Sequence, residues 1–440
     1  MARAARIAIP AAIAALLAVL VYVGTRPSAA GSKALGGGLA AMDPTDPAPG
    51  TLEADVAEAT ITPREIREHI AWLSSDEMKG RETPSPELER AAQYVAGEFK
   101  RLGLQQVGGS YFFWYSYQGQ LVPDSLGLLE GSDPVLKSQF VIVGGHMDHI
   151  GMKGREVMNG ADDNASGTTG VLELAEAFAS MKVRPKRSIL FITFSGEEHG
   201  LKGSEAYVAN PPLPLESCVA MFNFDMIGRS VDKYLFIGGV GTSSEFPSMM
   251  KKANEGLDLN IETAPGGLAP SDNTNFHLKG MPVLFFFNNV HADYHGPDDI
   301  VDKINTEGEA AILKLGFRMI RATADRPERL PFTRINETAL PHDFHERLKL
   351  REAPAARRPK LGVTRDDDQP GFVVMRVDEG SPAAVAGVQR GDVIVKIGDR
   401  AVENYNDLRA AMDGVKFGET IAVVIRHGED ERRIDVRFPE

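Results

Sequence analysis

Five short apolar runs, at residues 140–144, 188–194, 219–224, 234–237 and 283–287, constrain this chain more than any other feature. Each is apolar at successive positions, so both faces of the strand it would form need cover. Runs of helical period lie between them, at 168–181, 205–210, 244–255 and 305–324. Strands buried on both faces and alternating with helices connect most simply through crossovers. The expectation is an α/β domain over residues 55–335, a mostly parallel sheet covered by helices on both faces. Two helices should open it. Thr62 caps one in which Ile66, Ile70 and Leu73 recur at helical spacing, and a second follows Ser85.

Ligands gather at the carboxyl ends of strands in such a sheet. The candidate polar residues fall there. His146 and Asp148 follow the first run, Glu197 and Glu198 the second, and Asp225 the third. His295 comes a short loop after the last, and Asp163 lies in the turn before the 168–181 helix. Imidazole and carboxylate together suit zinc, with manganese or cobalt as substitutes. Two ions about 3.5–4 Å apart can share one carboxylate, polarise a carbonyl and supply hydroxide near neutral pH. Glu197 and Glu198 are neighbours, and adjacent side chains at a strand end diverge. One can therefore bind metal while the other serves as general base. His149, His199 and His291 are expected at the surface or behind the ligands, and Asp162 in a turn.

Five segments carry a family resemblance: Gly145-His-Met-Asp-His-Ile-Gly151, Gly160-Ala-Asp-Asp-Asn-Ala-Ser-Gly167, Ser195-Gly-Glu-Glu-His-Gly-Leu-Lys-Gly-Ser204, Asn223-Phe-Asp-Met-Ile-Gly228 and Asp293-Tyr-His295. In this order they resemble the di-zinc aminopeptidases, a family akin to glutaminyl cyclases and glutamate carboxypeptidase. The resemblance implies a zinc-exopeptidase, phosphorylase/hydrolase-like fold and two zinc ions. It makes Asp163 the bridging ligand. His146 and Asp225 complete one ion, and Glu198 and His295 the other. Glu197 becomes the general base and Asp148 the group that orients His146. Tyr294 and Asn273 become substrate or oxyanion contacts, and the Asp163–Asn164 peptide is expected to be cis. Asn273 stands where many members have histidine. The aromatic stretch 111–117 finds no place in the pattern.

At 440 residues the chain exceeds what one core usually holds, so a second domain is expected. A net charge of -13 argues against a nucleic-acid partner. A single cysteine, Cys218, excludes an intramolecular disulfide and a cysteine-rich zinc site. Neither a G-x-S-x-G elbow nor an H-E-x-x-H helix is present. Arg3 and Arg6 precede an apolar run at 7–24, followed by small residues. Residues 1–30 thus read as a signal peptide or an N-terminal membrane anchor, and 31–54 as a flexible linker. Both readings place the protein outside the cytoplasm, periplasmic or bound to the cell envelope, or secreted if the signal is cleaved.

Residues 336–357 are charged and rich in proline and alanine, an interdomain linker. From 358 to 440, short strands and turns with Ser381-Pro-Ala-Ala-Val-Ala-Gly387 and Gly391-Asp-Val-Ile394 resemble a PDZ domain, small, β-rich and α+β. The resemblance implies that Leu361, Gly362 and Val363 form a loop receiving a protein C-terminus. The chain as a whole reads as an exported aminopeptidase that removes N-terminal residues from peptides through a hydroxide bridging two metals. Carboxypeptidase or cyclase chemistry, and an idle peptidase domain carried by a PDZ scaffold, are the alternatives.

Overall fold

The computed structural model describes residues 49–335, 359–366, 371–378, 380–403, 405–412, 415–428 and 430–439. The expected signal or anchor segment, most of the first linker and the second linker lie outside these residues. Among the described residues no helix is long and apolar enough to cross a membrane.

The first linker was expected to run to residue 54, yet its last residues belong to the folded domain. Gly50 N–H donates to Ala179 O, and Thr51 and Leu52 N–H donate to Ser180 O. Helices α1 (Pro63–Leu73) and α2 (Pro86–Arg101) follow. Both begin as their sequences dictate. The Thr62 hydroxyl accepts from Glu65 N–H and the Ser85 hydroxyl from Leu88 N–H, each with proline at the first helical position.

The sheet has eight strands: β1 (Phe112–Tyr117), β2 (Gln120–Leu129), β3 (Phe140–His146), β4 (Ser188–Phe194), β5 (Cys218–Phe224), β6 (Tyr234–Gly238), β7 (Asn260–Thr263) and β8 (Val283–Phe287). Their spatial order is β1-β2-β4-β3-β5-β8-β6-β7. The central four, β4-β3-β5-β8, are parallel. Strand β6 runs antiparallel to β8, and β2 antiparallel to β4. The aromatic stretch is the first arm of an antiparallel hairpin whose two-residue turn, Gln118-Gly119, has both φ angles positive.

Alternation sends successive side chains to opposite faces. Val141, Val143, Ile189, Phe191, Phe222, Phe224 and Phe286 join one core with α1, α2, α3 (Gly167–Ser180) and α7 (Thr306–Asp325). Phe140, Ile142, Leu190, Ile192 and Met221 join another with Tyr207 of α4 (Lys202–Ala209) and Phe276 of α6 (Asn273–Leu278). Helix α5 (Phe246–Ala253) contributes Phe246 to the first.

Two glycines allow the strand ends to converge. A Cβ at Gly145 would lie 2.6 Å from Phe224 O, and one at Gly167 2.2 Å from the same oxygen. Any larger residue would push the end of β3 or the start of α3 away from the end of β5.

The C-terminal domain has its own core, with Leu361, Phe372, Ile394, Val423 and Val436 among its members. Strands β9 (Val363–Asp366), β10 (Phe372–Val377), β11 (Val393–Ile397), β13 (Thr420–His427) and β14 (Asp430–Arg437) form one antiparallel sheet in that order, with β12 (Arg400–Ala401) paired to β11. Helices α8 (Pro382–Val385) and α9 (Tyr405–Met412) complete it. Strand β9 lies at the sheet edge, directly after the Leu361-Gly362 loop. The carbonyl of Gly362 accepts from Asp378 N–H and that of Leu361 from Ala383 N–H, which fixes the loop.

Candidate metal centre

Strand β3 delivers His146 to the top of the sheet almost fully buried, at 1 % exposure. Its Nδ1 lies 3.2 Å from Asp148 O and 3.6 Å from Asp148 Oδ1. A proton on Nδ1 would be donated to Asp148, leaving Nε2 as the bare atom pointing the other way. Asp148 Oδ1 also accepts from Glu197 N–H at 3.2 Å, and Oδ2 accepts from the Thr83 hydroxyl at 3.0 Å. One buried carboxylate thereby fixes both the histidine and the loop that follows β4.

Asp163 sits in the loop between Gly160 and α3. The Asp299 carboxylate accepts the backbone N–H groups of Asp162 and Asp163, each at 3.0 Å. The Asn164 amide accepts from Gly167 and Met226 N–H and donates to Phe224 O. The Asp163–Asn164 peptide is cis, as expected. Asp162, expected in a turn, is fully buried, with Oδ1 accepting from Gly228 N–H at 2.7 Å.

The two oxygens of Asp163 face different partners. His146 Nε2 lies 3.5 Å from Asp163 Oδ1, 3.5 Å from Asp225 Oδ1 and 4.0 Å from Glu197 Oε2. His295 Nε2 lies 3.1 Å from Asp163 Oδ2 and 3.2 Å from Glu198 Oε2. All seven residues proposed from the sequence as ligand, base or orienting group therefore converge, and His146, Glu197 and Asp225 form one cluster while Asp163, Glu198 and His295 fall in the other. Donor atoms about 2.0–2.2 Å from a tetrahedral ion lie roughly 3.3–3.6 Å apart, and the ligand spacings of 3.1–3.5 Å here come close to that edge length. His295 Nε2 is buried and makes no hydrogen bond despite its two carboxylate neighbours. The residues present fit metal.

The electrostatics say the same. Burial raises the Glu197 carboxyl well above the usual range, with His146 opposing and Asp225 and Asp272 adding to the rise. Burial, then Glu198, raises Asp163 to about 6. Burial works against charging His295, but the carboxylates of Asp163 and Glu198 close to its Nε2 outweigh it and lift the ring to about 10. Burial likewise opposes charge on Glu198, yet His149 and His295 hold it well below the ordinary carboxylate value. This much buried negative charge calls for cations in its midst.

His149 departs from part of its expectation. It is fully buried rather than at the surface, with Nδ1 2.9 Å from Glu198 Oε1 and 3.6 Å from Asp163 Oδ2. The sequence signal was its place one residue past Asp148. His291 is also buried, 3.2 Å from Asp162 Oδ2, and His199 stacks on Tyr117 at 5.5 Å. Tyr294 is 37 % exposed and stacks on His295 at 3.9 Å, placing it at the rim. Asn273 is fully buried, its amide donating to Gly267 O at 2.8 Å. Cys218 is buried on β5 and its thiol is pushed up to about 12 by burial, which disqualifies it as a nucleophile. Arg81 and Thr83, both behind the centre, carry no motif that sequence reading could have caught.

Comparison with known proteins agrees with this geometry. Residues 126–318 match peptidase family M28, and residues 359–438 match the PDZ domain. A probable leucine aminopeptidase of Arthroderma otae is 31% identical over 199 residues, covering 42% of this chain and 54% of that protein. Aminopeptidase YwaD of Bacillus subtilis is 33% identical over 159 residues, covering 34% of each. The chain thus spans about half or less of the length of the curated relatives it matches. The LapA aminopeptidase of Legionella pneumophila superposes with a TM-score of 0.53 at 21% identity, covering 62% of this chain and 75% of that one, and so shares the fold. Residues 126–318 are thus similar to peptidase family M28, and the later segment, 359–438, is similar to a PDZ domain.

Proposed function

We propose that this protein is an exported, zinc-dependent aminopeptidase that removes N-terminal residues from peptides. The observation that carries the reading is Asp163, whose two oxygens face two separate sets of histidine and carboxylate donors. His146, Asp225 and Asp163 would hold one zinc, and Asp163, Glu198 and His295 the other, with His149 buttressing Glu198. Manganese or cobalt would serve as substitutes. When bound, the ions supply Lewis acidity toward the substrate carbonyl and toward water.

The chain's own residues do the rest. Glu197 is set by Asp148 through its backbone N–H, and its largely buried carboxylate has the raised proton affinity a general base needs. It takes the proton from the attacking water and returns it to the departing amine. Asp148 keeps His146 in the tautomer whose Nε2 faces the centre. Tyr294, exposed at the rim, would meet the substrate carbonyl oxygen. The names of the relatives, leucine aminopeptidase and aminopeptidase among them, support attack at the N-terminal peptide bond. The PDZ domain supports a second peptide partner, a protein C-terminus received at Leu361, Gly362 and Val363. Export, with anchoring or a cleaved signal through residues 7–24, rests on the sequence pattern.

Mass spectrometry of a peptide set tests this reading directly. The expected result is stepwise loss from free N-termini and none from N-acetylated peptides. Loss from the C-terminus would make the enzyme a carboxypeptidase. Release of ammonia from N-terminal glutamine would make it a cyclase. No reaction by folded, metal-loaded protein would leave the PDZ scaffold.

A further inference from the structure

Residues 76–83 lie outside the span that matches the peptidase family, yet they reach directly behind the centre. Arg81 is fully buried, and every hydrogen bond shown for its guanidinium ends on a backbone carbonyl. Nε donates to Met147 O at 2.9 Å, Nη1 to Leu73 O at 2.6 Å and Asn159 O at 2.8 Å, and Nη2 to Gly160 O at 3.0 Å. Met147 lies between His146 and Asp148, and Gly160 opens the loop that carries Asp163. One planar side chain therefore clamps the two loops that hold the shared ligand and its partner histidine. Arg81 also adopts a positive φ of 48°, a conformation that a side chain with a Cβ enters at a cost. The neighbouring Gly80 lets the segment press against that region, since a Cβ there would lie 2.3 Å from Gly151 O and 2.4 Å from Met158 O.

Thr83 works on the other side. Its hydroxyl donates to Asp148 Oδ2 at 3.0 Å and accepts from Gly196 N–H at 3.0 Å. It thus joins the carboxylate that orients His146 to the loop that presents Glu197. A buried guanidinium without a carboxylate in contact is costly unless its donors are satisfied and its field is used. Burial lowers its proton affinity to about 10, while the charges of Asp163, Asp148, Asp299 and Glu198 oppose that and favour the charged guanidinium.

We infer that Arg81 and Thr83 are positioning residues of the metal centre, Arg81 setting the spacing of the ligand loops and offsetting their charge, Thr83 setting the orientation of His146 and Glu197 through Asp148. The inference rests on the metal reading above. Neither residue touches substrate; each acts through the groups it holds.

The test compares the full chain with Arg81→Met, Arg81→Lys, Thr83→Val and Thr83→Ser by zinc competition against a fluorescent chelator. Thermal unfolding of each is followed with and without zinc. Arg81→Met should weaken zinc binding about 10–100-fold, as loss of groups supporting metal ligands does. Arg81→Lys should fall between, because one amine keeps the charge but cannot span four carbonyls. Thr83→Val should lower kcat more than it changes KM and weaken zinc about tenfold, with Thr83→Ser restoring both. Equal losses of melting temperature with and without zinc, at unchanged affinity, would show a purely structural role and overturn the inference. If Arg81→Met does not fold, the threonine pair decides. Unchanged zinc affinity and kcat in Thr83→Val overturn the inference. A wild-type protein that binds no zinc overturns the metal reading itself, whereas wild-type binding with unshifted variants overturns only the positioning role.

Discussion

Glu197 and Glu198 are chemically identical neighbours on one loop, and only their surroundings separate them. Glu198 is held ionised by His149 and His295, while burial and nearby carboxylates make Glu197 hold a proton tightly. On the proposed reading, that difference makes Glu198 the ligand and Glu197 the base. Replacing Glu197 by glutamine should therefore lower kcat by about 10²–10⁴-fold, with zinc content unchanged, measured by steady-state kinetics beside metal analysis. A second residue-scale outcome concerns stability. His69, on α1, is kept neutral by burial and then by Arg101, so its folded value falls from 6.5 to about 4. Its neutral form thus stabilises the fold fully above pH 6.5, and that contribution is lost as pH falls toward 4. The loss should reach about 3 kcal/mol, and urea unfolding of His69→Gln in the presence of chelator should show a shallower decline than wild type between these pH values. Most of the candidate site was legible in the sequence because its residues follow recognisable strands, with Asp163 in the turn before a helix. Arg81, Thr83 and Asp299 were not. They act on backbone groups or through single hydrogen bonds from distant segments, and no local pattern marks such contacts.

At the scale of elements, the strands were readable where their function was burial. The runs at 140–144, 188–194 and 283–287 became β3, β4 and β8 because a strand covered on both faces leaves an unbroken apolar trace. The hairpin of β1 and β2 was missed for the opposite reason. Phe113 and Tyr115 pack inward while Trp114 is 47 % exposed, so aromatic residues occupy both faces and the alternation disappears. The Gln118-Gly119 turn was its one usable signal. Strand direction was harder still, since an apolar run does not say whether it lies parallel or antiparallel to its neighbour, as β6 shows. Caps were plain. Ser85 satisfies Leu88 N–H at the start of α2 at 3.0 Å, and that helix buries Val95 and Phe99 in the main core. Ser85→Ala should cost about 1 kcal/mol in urea unfolding, with no change in KM.

At the scale of the whole molecule, the acidic centre couples folding to metal. Five carboxylates, Asp148, Asp163, Glu197, Glu198 and Asp225, sit largely buried around three histidines. Ions that bind only the folded chain stabilise it by mass action, about 4 kcal/mol when free metal exceeds the dissociation constant a thousandfold. The C-terminal domain keeps a separate core, and among the described residues it contributes nothing to the donor set, so its stability should not follow zinc. The most direct measurement is a zinc titration of chelated, folded protein, with release of the N-terminal residue followed at each addition and the Glu197→Gln protein titrated in parallel. If the two-metal reading holds, two equivalents bind per chain in both proteins, and activity returns only in the wild type. Full activity without metal, or two equivalents bound with Glu197→Gln as active as wild type, would contradict it.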